Sequence, residues 1–218
     1  MEEKITIAIV GGTGNLGTAL ASRLAAPGVR VIIGSRDREK AKTVVESLRA
    51  SARLKGQVEG KLNQDAVKEA SFVLIAVPYE GHAKIVGDLR GMVSGKTLID
   101  AVVPLKKGRP FVPPAGSALL EAQGILGDEA PVVGALHNIS VLDLEAPEAP
   151  LGDVLVCGDD DAAKKRVMEI IQRIGARTFD AGPAANAYVI EGLTGVLIQL
   201  NRRYKSKHAS IKITGIGE

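Results

Sequence analysis

The sequence predicts an α/β protein built on a doubly wound parallel sheet, with a small C-terminal α/β part. Three observations carry this. Strand-like apolar runs alternate with helix-like apolar stripes from residue 5 to residue 180. The runs are short, rich in β-branched residues and nearly free of charge, as in strands buried on both faces. The first of them leads into a glycine-rich turn and then a helix, the opening order of a βαβ unit.

Taken in order, Ile5–Val10 is a charge-free strand. The helix after the turn runs to about Ala26, with Leu16, Ala19, Leu20 and Leu24 on one side, and Pro27-Gly28 stops it. Arg30–Gly34 is the second strand. Residues 37–52 form a charged helix whose buried stripe is Ala41, Val44, Val45 and Leu48. A short strand, Gln57–Lys61, and a short helix, Gln64–Ala70, follow. Ser71–Val77 is a strongly apolar strand ended by Pro78; His82–Met92 is a helix and Thr97–Val102 a strand. Residues 104–118 hold four of the ten prolines with Lys106, Lys107 and Arg109, and read as a surface loop. A helix near Ser117–Gln123 and a strand at Val132–His137 come next. Residues 143–153 are acidic, contain Pro147 and Pro150, and read as a second loop. Val154–Cys157 is a strand. Asp159–Ile174 is a helix whose first turn carries Asp159, Asp160 and Asp161, the sign that complements a helix N-terminus. Arg177–Asp180 is the last strand. Ala184–Tyr204 is a long helix, apolar on nearly all sides, which must pack on more than one face.

Composition narrows the classes. Of 218 residues, 45% are apolar and 24% charged, the balance of a soluble globular protein. No apolar run approaches the ~20 residues of a membrane span. The N-terminus enters a strand directly, without the pattern of a signal peptide. Cys157 is alone and forms no internal disulfide, which suits a reducing cytoplasm. The net charge of +3 is too small to argue for nucleic acid, but it suits a small anionic ligand. Aromatic residues make up only 3%, so the core is aliphatic and offers few platforms for base stacking. No metal site is expected: consecutive carboxylates at a helix start are read as a dipole complement.

The sharpest motif is Gly12-Thr13-Gly14-Asn15-Leu16-Gly17. It follows a strand and opens a helix, the context in which such a turn binds a dinucleotide in a Rossmann fold. One glycine makes the tight turn, one lets the pyrophosphate approach the backbone, and one lets helix and strand pack. At the end of the second strand an NAD enzyme places a carboxylate for the ribose 2′-OH. This chain has Gly34-Ser35-Arg36 there, with Lys40 one helical turn on. A hydroxyl, a guanidinium and an ammonium suit a 2′-phosphate, so NADP is the expected cofactor. The nucleotide-binding half is placed at residues 1–103 and the smaller part at 104–218.

Gly11–Gly17 and Gly34-Ser35-Arg36, with Ala135-Leu136-His137 and Val156–Asp161, resemble the NADPH-dependent reductases of coenzyme F420, a 5-deazaflavin hydride carrier. Asp180-Ala181-Gly182-Pro183 and the helix through Glu191-Gly192-Leu193-Thr194 fit that family as well. The resemblance implies hydride transfer between NADP(H) and F420 in a cleft that residues 104–218 help to close. It implies that Gly12, Thr13, Gly14, Asn15 and Leu16 hold the pyrophosphate, and that Ser35, Arg36 and Lys40 hold the 2′-phosphate. Val77 and Val103, each before a proline, would line the nicotinamide. His137 and Val141 would flank the stacked rings, and Ala209 would touch the deazaflavin. His137 is the candidate catalytic residue, with a structural histidine as the alternative. Lys106, Lys107 and Arg109, or the tail Arg202–His208, would clamp the anionic tail of the deazaflavin if they are more than solvated surface. Two departures stand out: Pro78-Tyr79-Glu80-Gly81-His82 carries an extra glycine against the family's Pro-Trp-Glu-His, and Asn138-Ile139-Ser140-Val141 replaces Thr-Ile-Pro-Ala.

His82 and His208 read as mostly surface, and Cys157 as a small core residue. The apolar helix Ala184–Leu200 suggests a homodimer. Two other functions compete: an NADP-linked imine or β-hydroxyacid reductase, and a non-catalytic NADP-sensing module. The first would need a long helical C-terminal domain, for which one helix after residue 184 leaves little room.

Overall fold

In chain order the elements are β1 (Ile5–Val10), α1 (Asn15–Leu24), β2 (Val29–Ser35), α2 (Arg38–Ala50), β3 (Gln57–Leu62), α3 (Asn63–Glu69), β4 (Phe72–Ile75), α4 (His82–Asp88), β5 (Thr97–Asp100), β6 (Leu105–Lys106), β7 (Arg109–Pro110), α5 (Ala118–Leu126), β8 (Val132–Gly134), α6 (Val141–Glu145), β9 (Val154–Val156), α7 (Asp161–Gln172), β10 (Thr178–Asp180) and α8 (Ala187–Arg203). They come from a computed structural model that describes residues 5–51, 54–146 and 149–216. Residues 1–4, Ala52 and Pro147, which enter the sequence reading, lie outside those described.

Six parallel strands form the main sheet in the order β3-β2-β1-β4-β5-β8. This is the doubly wound order that reverses at β1, and it places the ligand crevice where β1 and β4 diverge. The side chains explain the two layers. Along β1, Ile7 and Ile9 point to one core, and Ala8 and Val10 to the other. β4 repeats this with Phe72 and Leu74 against Val73 and Ile75. The period of two sends alternate residues of one strand into opposite layers. Residues from α1, α2 and α7 cover the first face; residues from α3, α4, α5 and α8 cover the second.

A parallel pair, β9 and β10, continues this frame through an antiparallel bridge between Gly134 and Cys157. Arg23 ties α1 to the α6 region, its guanidinium donating to the carbonyls of Asp143, Ala146 and Ala149.

Three departures from the sequence reading have local causes. The sixth strand stops at Gly134, because Leu136 takes a left-handed φ of 67° that no strand accommodates. Residues 104–118 are not all loop: β6 and β7 pair as a hairpin, with φ of 52° at Lys107 and 72° at Gly108, the signature of a type I′ turn. The second loop begins inside α6, which Ser140 caps by accepting from the Asp143 amide. In the acidic run, Asp160 caps α7 and Asp161 pairs with Lys164, but Asp159 accepts from the Ala184 amide instead.

Candidate active site

The ends of β1, β2 and β4 open onto a cleft of about 460 Å³. Gly11, Thr13, Gly14, Ser35, Arg36, Lys40 and Val77 line it. The glycines of the turn do different work. A Cβ on Gly12 would lie 2.8 Å from the Ile9 carbonyl oxygen, and one on Gly17 would lie 2.6 Å from the Gly12 Cα. Both are therefore demanded by the packing of strand on helix. A Cβ on Gly14 would meet only the Gly11 carbonyl, at an ordinary 3.5 Å. None of the described residues requires glycine at 14, and Gly14 lines the cleft. Gly14 is also the N-cap of α1 and offers no capping side chain, so the first-turn amides are left for an anion.

On the β2 side, the Ser35 hydroxyl accepts from the Asp37 amide. Asp37 caps α2, accepting from the amides of Glu39 and Lys40. The carboxylate that directly follows Arg36 is thus engaged by the backbone. Arg36 and Lys40 border the cleft with no carboxylate partner among the described residues. A further hollow of about 330 Å³ continues past Arg36 between Asn63, Lys84 and Ile85. Asn63 is a residue that sequence reasoning missed: its buried Oδ1 has no partner, and it lines both hollows. The available signal was its place immediately after β3, at the carboxyl edge of the sheet.

A second cleft of about 310 Å³ gathers His137, Asn138, Val141, Thr194, Asn201, Lys207 and Ala209. The left-handed Leu136 redirects the chain so that His137 turns inward. Helix α8 then fixes the segment. Asn138 Nδ2 donates to the Ile190 carbonyl and to Thr194 Oγ1, and Thr194 donates to the His137 carbonyl. The C-terminal segment folds over the cleft: the Ala209 amide donates to Asn201 Oδ1, and Ser140 donates to the Lys207 carbonyl. Both ring nitrogens of His137 are buried without a partner. Burial pushes its pKa down to about 4, against a weak pull upward from Asp100, so the ring is neutral at pH 7.

The sequence-derived residues therefore divide between two clefts, with His137, Val141 and Ala209 in the second. Gly12, Asn15 and Leu16 build the turn and the start of α1 without lining either cleft; Val103, half-buried before Pro104, also lines neither.

His82 is the clear correction. It is not at the surface but fully buried, with Nε2 2.8 Å from Asp100 Oδ2 and Nδ1 2.8 Å from Glu121 Oε2. The Tyr79–Gly81 turn rolls the start of α4 inward, and Tyr79 donates to the other oxygen of Glu121. Burial alone would lower the imidazole pKa; hydrogen bonds and charge from Asp100 and Glu121 outweigh it and hold the pKa at about 9. Asp100 also accepts from the Val102 amide, so the network ties the Val77-Pro78 turn to the segment before Val103. His208 keeps an exposed side chain and pairs with Asp143. Cys157 is buried, and burial pushes its thiol up to about 12.

A sequence profile of the family described as NADP oxidoreductase, coenzyme F420-dependent, matches residues 6–104. The F420-dependent NADP reductase of Methanocaldococcus jannaschii is 38% identical, over 96% of this chain and 98% of its own. This chain belongs to the F420-dependent NADP oxidoreductase family. A second member with the same name, from Methanothermobacter marburgensis, is 37% identical over 97% of this chain and 99% of its own. Among solved structures, a protein of Arthrobacter sp. FB24, provisionally assigned as an F420-dependent NADP reductase, superposes with a TM-score of 0.80. It is 27% identical and covers 96% of this chain and 99% of its own. The family resemblance thus extends well past the profile's residue 104, through the part that contains the second cleft.

Proposed function

We propose that this protein transfers a hydride between NADP(H) and coenzyme F420. The observation that carries this is the full-length similarity to reductases of that name, in a chain whose sheet edge presents a glycine-turn cleft and a second cleft around His137. When bound, the nicotinamide and the deazaflavin supply the hydride chemistry themselves. The chain binds, orients and keeps water out. Its residues fit the two groups: an open glycine face with free helix amides for a pyrophosphate, and a neutral, unpartnered imidazole for a polar ring edge.

In this reading, residues 1–103 hold NADP, and residues 104–218 close the deazaflavin site. Thr13, Gly14, Asn15 and Leu16 serve the pyrophosphate, with Gly12 holding the turn. Ser35, Arg36 and Lys40 serve the 2′-phosphate. Val77 and Val103 border the nicotinamide; His137, Val141 and Ala209 face the deazaflavin. We expect NADPH to be preferred over NADH at least tenfold in kcat/KM, about 1.4 kcal/mol. Arg36→Ala should shrink that ratio, mainly by raising KM for NADPH. Discrimination left intact in the variant would remove Arg36 from the 2′-phosphate site. An imine-reductase role is not favoured, since α8 alone follows residue 186 among the described helices.

The protein acts, on this proposal, as a cytoplasmic homodimer. No described helix is long and apolar enough to cross a membrane. Val189, Val196 and Leu200 recur along one side of α8 and are 54%, 51% and 40% exposed, a stripe suited to a second copy. Light scattering at micromolar concentration should give about twice the chain mass of 22.8 kDa; the mass of one chain would refute the dimer.

A further inference from the structure

After α8 the chain continues as a strap without helix or strand. No residue from Tyr204 to Ile216 is buried, so burial alone does not hold it down. Polar contacts hold it in two places. The first set lies over the His137 cleft, where Ser140 donates to the Lys207 carbonyl and the Ala209 amide donates to Asn201. The second lies further along, at the start of β9. There the Asp153 amide donates to the Ile211 carbonyl at 2.8 Å. Arg177, just before β10, donates through Nε and Nη2 to the two carboxylate oxygens of Asp153, at 2.9 and 2.7 Å. The same pair takes both backbone groups of Ile213. Asp153 Oδ2 accepts from its amide, and Arg177 Nη2 donates to its carbonyl at 2.7 Å.

An arginine–carboxylate fork is planar and directional. Here it stands in for a neighbouring strand, offering one residue of the strap both an acceptor and a donor. Asp153 is buried and Arg177 exposed. Arg177 above all holds the Asp153 carboxyl below the usual range, helped by the Ile213 amide and the charge of Lys212 and opposed by burial. The fork is therefore ionised at pH 7. The strap lies close against the chain here: a Cβ on Gly152 would be 2.6 Å from Ser210 Cβ and 3.2 Å from the Ile211 carbonyl oxygen. Neither Asp153 nor Arg177 lines the His137 cleft, whereas Ser206, Lys207 and Ala209 of the strap do. Any effect of the pair on that cleft passes through the strap.

We propose that Asp153 and Arg177 are positioning residues: by clipping Ile211 and Ile213 they hold the strap across the His137 cleft and so set the affinity of the deazaflavin site. This rests on the function proposed above and deepens it. Only three residues separate Ala209 from Ile213, so slack at the clip is felt at the wall of the cleft. A segment held by hydrogen bonds rather than by a core opens locally without unfolding the rest. A pair that merely stabilises the fold changes the melting temperature; a pair that sets one wall of a site changes KM for the ligand bound there.

The test pairs steady-state kinetics with amide hydrogen exchange of the ligand-free protein. Asp153→Asn and Arg177→Gln should each raise KM for coenzyme F420 about fivefold or more and leave KM for NADPH within about twofold. Arg177→Lys, which keeps the charge but not the fork, should recover part of the loss. Gly152→Ala leaves the fork intact and pushes the strap from beneath; it should raise the same KM, and it carries the test if the fork variants do not fold. Exchange of residues 205–213 should quicken by about tenfold or more in these variants, with β1 and β4 unchanged. Faster exchange with an unaltered KM for F420 would overturn the positioning role, as would a rise in KM for both coenzymes together. Unaltered exchange would overturn the clip itself. A parent protein that does not reduce F420 would overturn the reaction and the positioning role with it, while exchange would still decide whether the pair clips the strap.

Discussion

Replacing His82 by alanine should lower the melting temperature by about 10 °C or more at pH 7. A neutral imidazole has one donor and one acceptor, so two carboxylate partners at 2.8 Å require the imidazolium. Removing it leaves Asp100 and Glu121 without a cation in a site that is dry at Asp100. Breaking a buried pair from one side costs about 3–5 kcal/mol. In a domain of this size, each kcal/mol corresponds to roughly 2–4 °C. The pH dependence follows from the direction of the shift. His82 titrates near 9 when folded against 6.5 ordinarily, so folding takes up a proton. Its stabilisation is complete below about pH 6.5, declines as pH rises, and is lost once pH passes 9. The gap between parent and variant should therefore narrow in alkali. Thermal scans of both proteins from pH 6 to 10 check this; a variant melting within about 2 °C of the parent at pH 7 would show that the network contributes little.

His137→Ala should slow NADPH-dependent F420 reduction by roughly 30- to 150-fold, about 2–3 kcal/mol in the barrier. The ring is buried, neutral, and without a hydrogen-bond partner at either nitrogen. Leaving two polar atoms unsatisfied is costly in a folded protein, and such groups concentrate where a ligand completes them. An N–H donated to a coenzyme edge that gains charge strengthens its bond in the transition state, so on the proposed function kcat should fall while KM for NADPH stays within about threefold. With its pKa near 4, the ring should add no pH dependence between 5 and 9. His137→Asn, which retains an N–H donor, should recover part of the rate. Normal turnover in the alanine variant, with only a lower melting temperature, would make His137 a packing residue.

The parts of the fold that sequence made legible are those set by local pattern. The period of two in Ile7–Val10 and Phe72–Ile75 implies both faces of the sheet, and both faces are filled. The glycine turn was readable because its constraints lie within a few residues: Gly17 against Gly12, and Gly12 against Ile9. His82 was not, since its partners sit 18 and 39 positions away and a helix-start histidine looks solvated. The end of β8 was hidden because nothing in Ala135-Leu136-His137 announces a left-handed leucine. Asn63 follows a weak strand, and only the parallel register of β3 against β2 brings it beside Ser35. Local chemistry thus made the glycine-turn cleft legible, while the His137 cleft depends on contacts with a helix more than fifty residues later.

The strand order has a consequence for how the chain is made. Synthesis delivers β1, then β2 and β3 to one side, then β4 and β5 to the other, so the sheet grows outward from its first strand. The outer edge of β5 stays unpaired until Val132–Val133 emerges, some thirty residues later. During that interval a nascent chain presents Leu98 and Ile99 on an open edge, the feature that invites pairing with a neighbouring chain. The strand that covers it is only three residues long, and it is held from beyond by the Gly134–Cys157 bridge. The first five strands of the sheet therefore leave the ribosome before the β5 edge is covered, and the bridge that backs the covering strand comes later still, with residue 157.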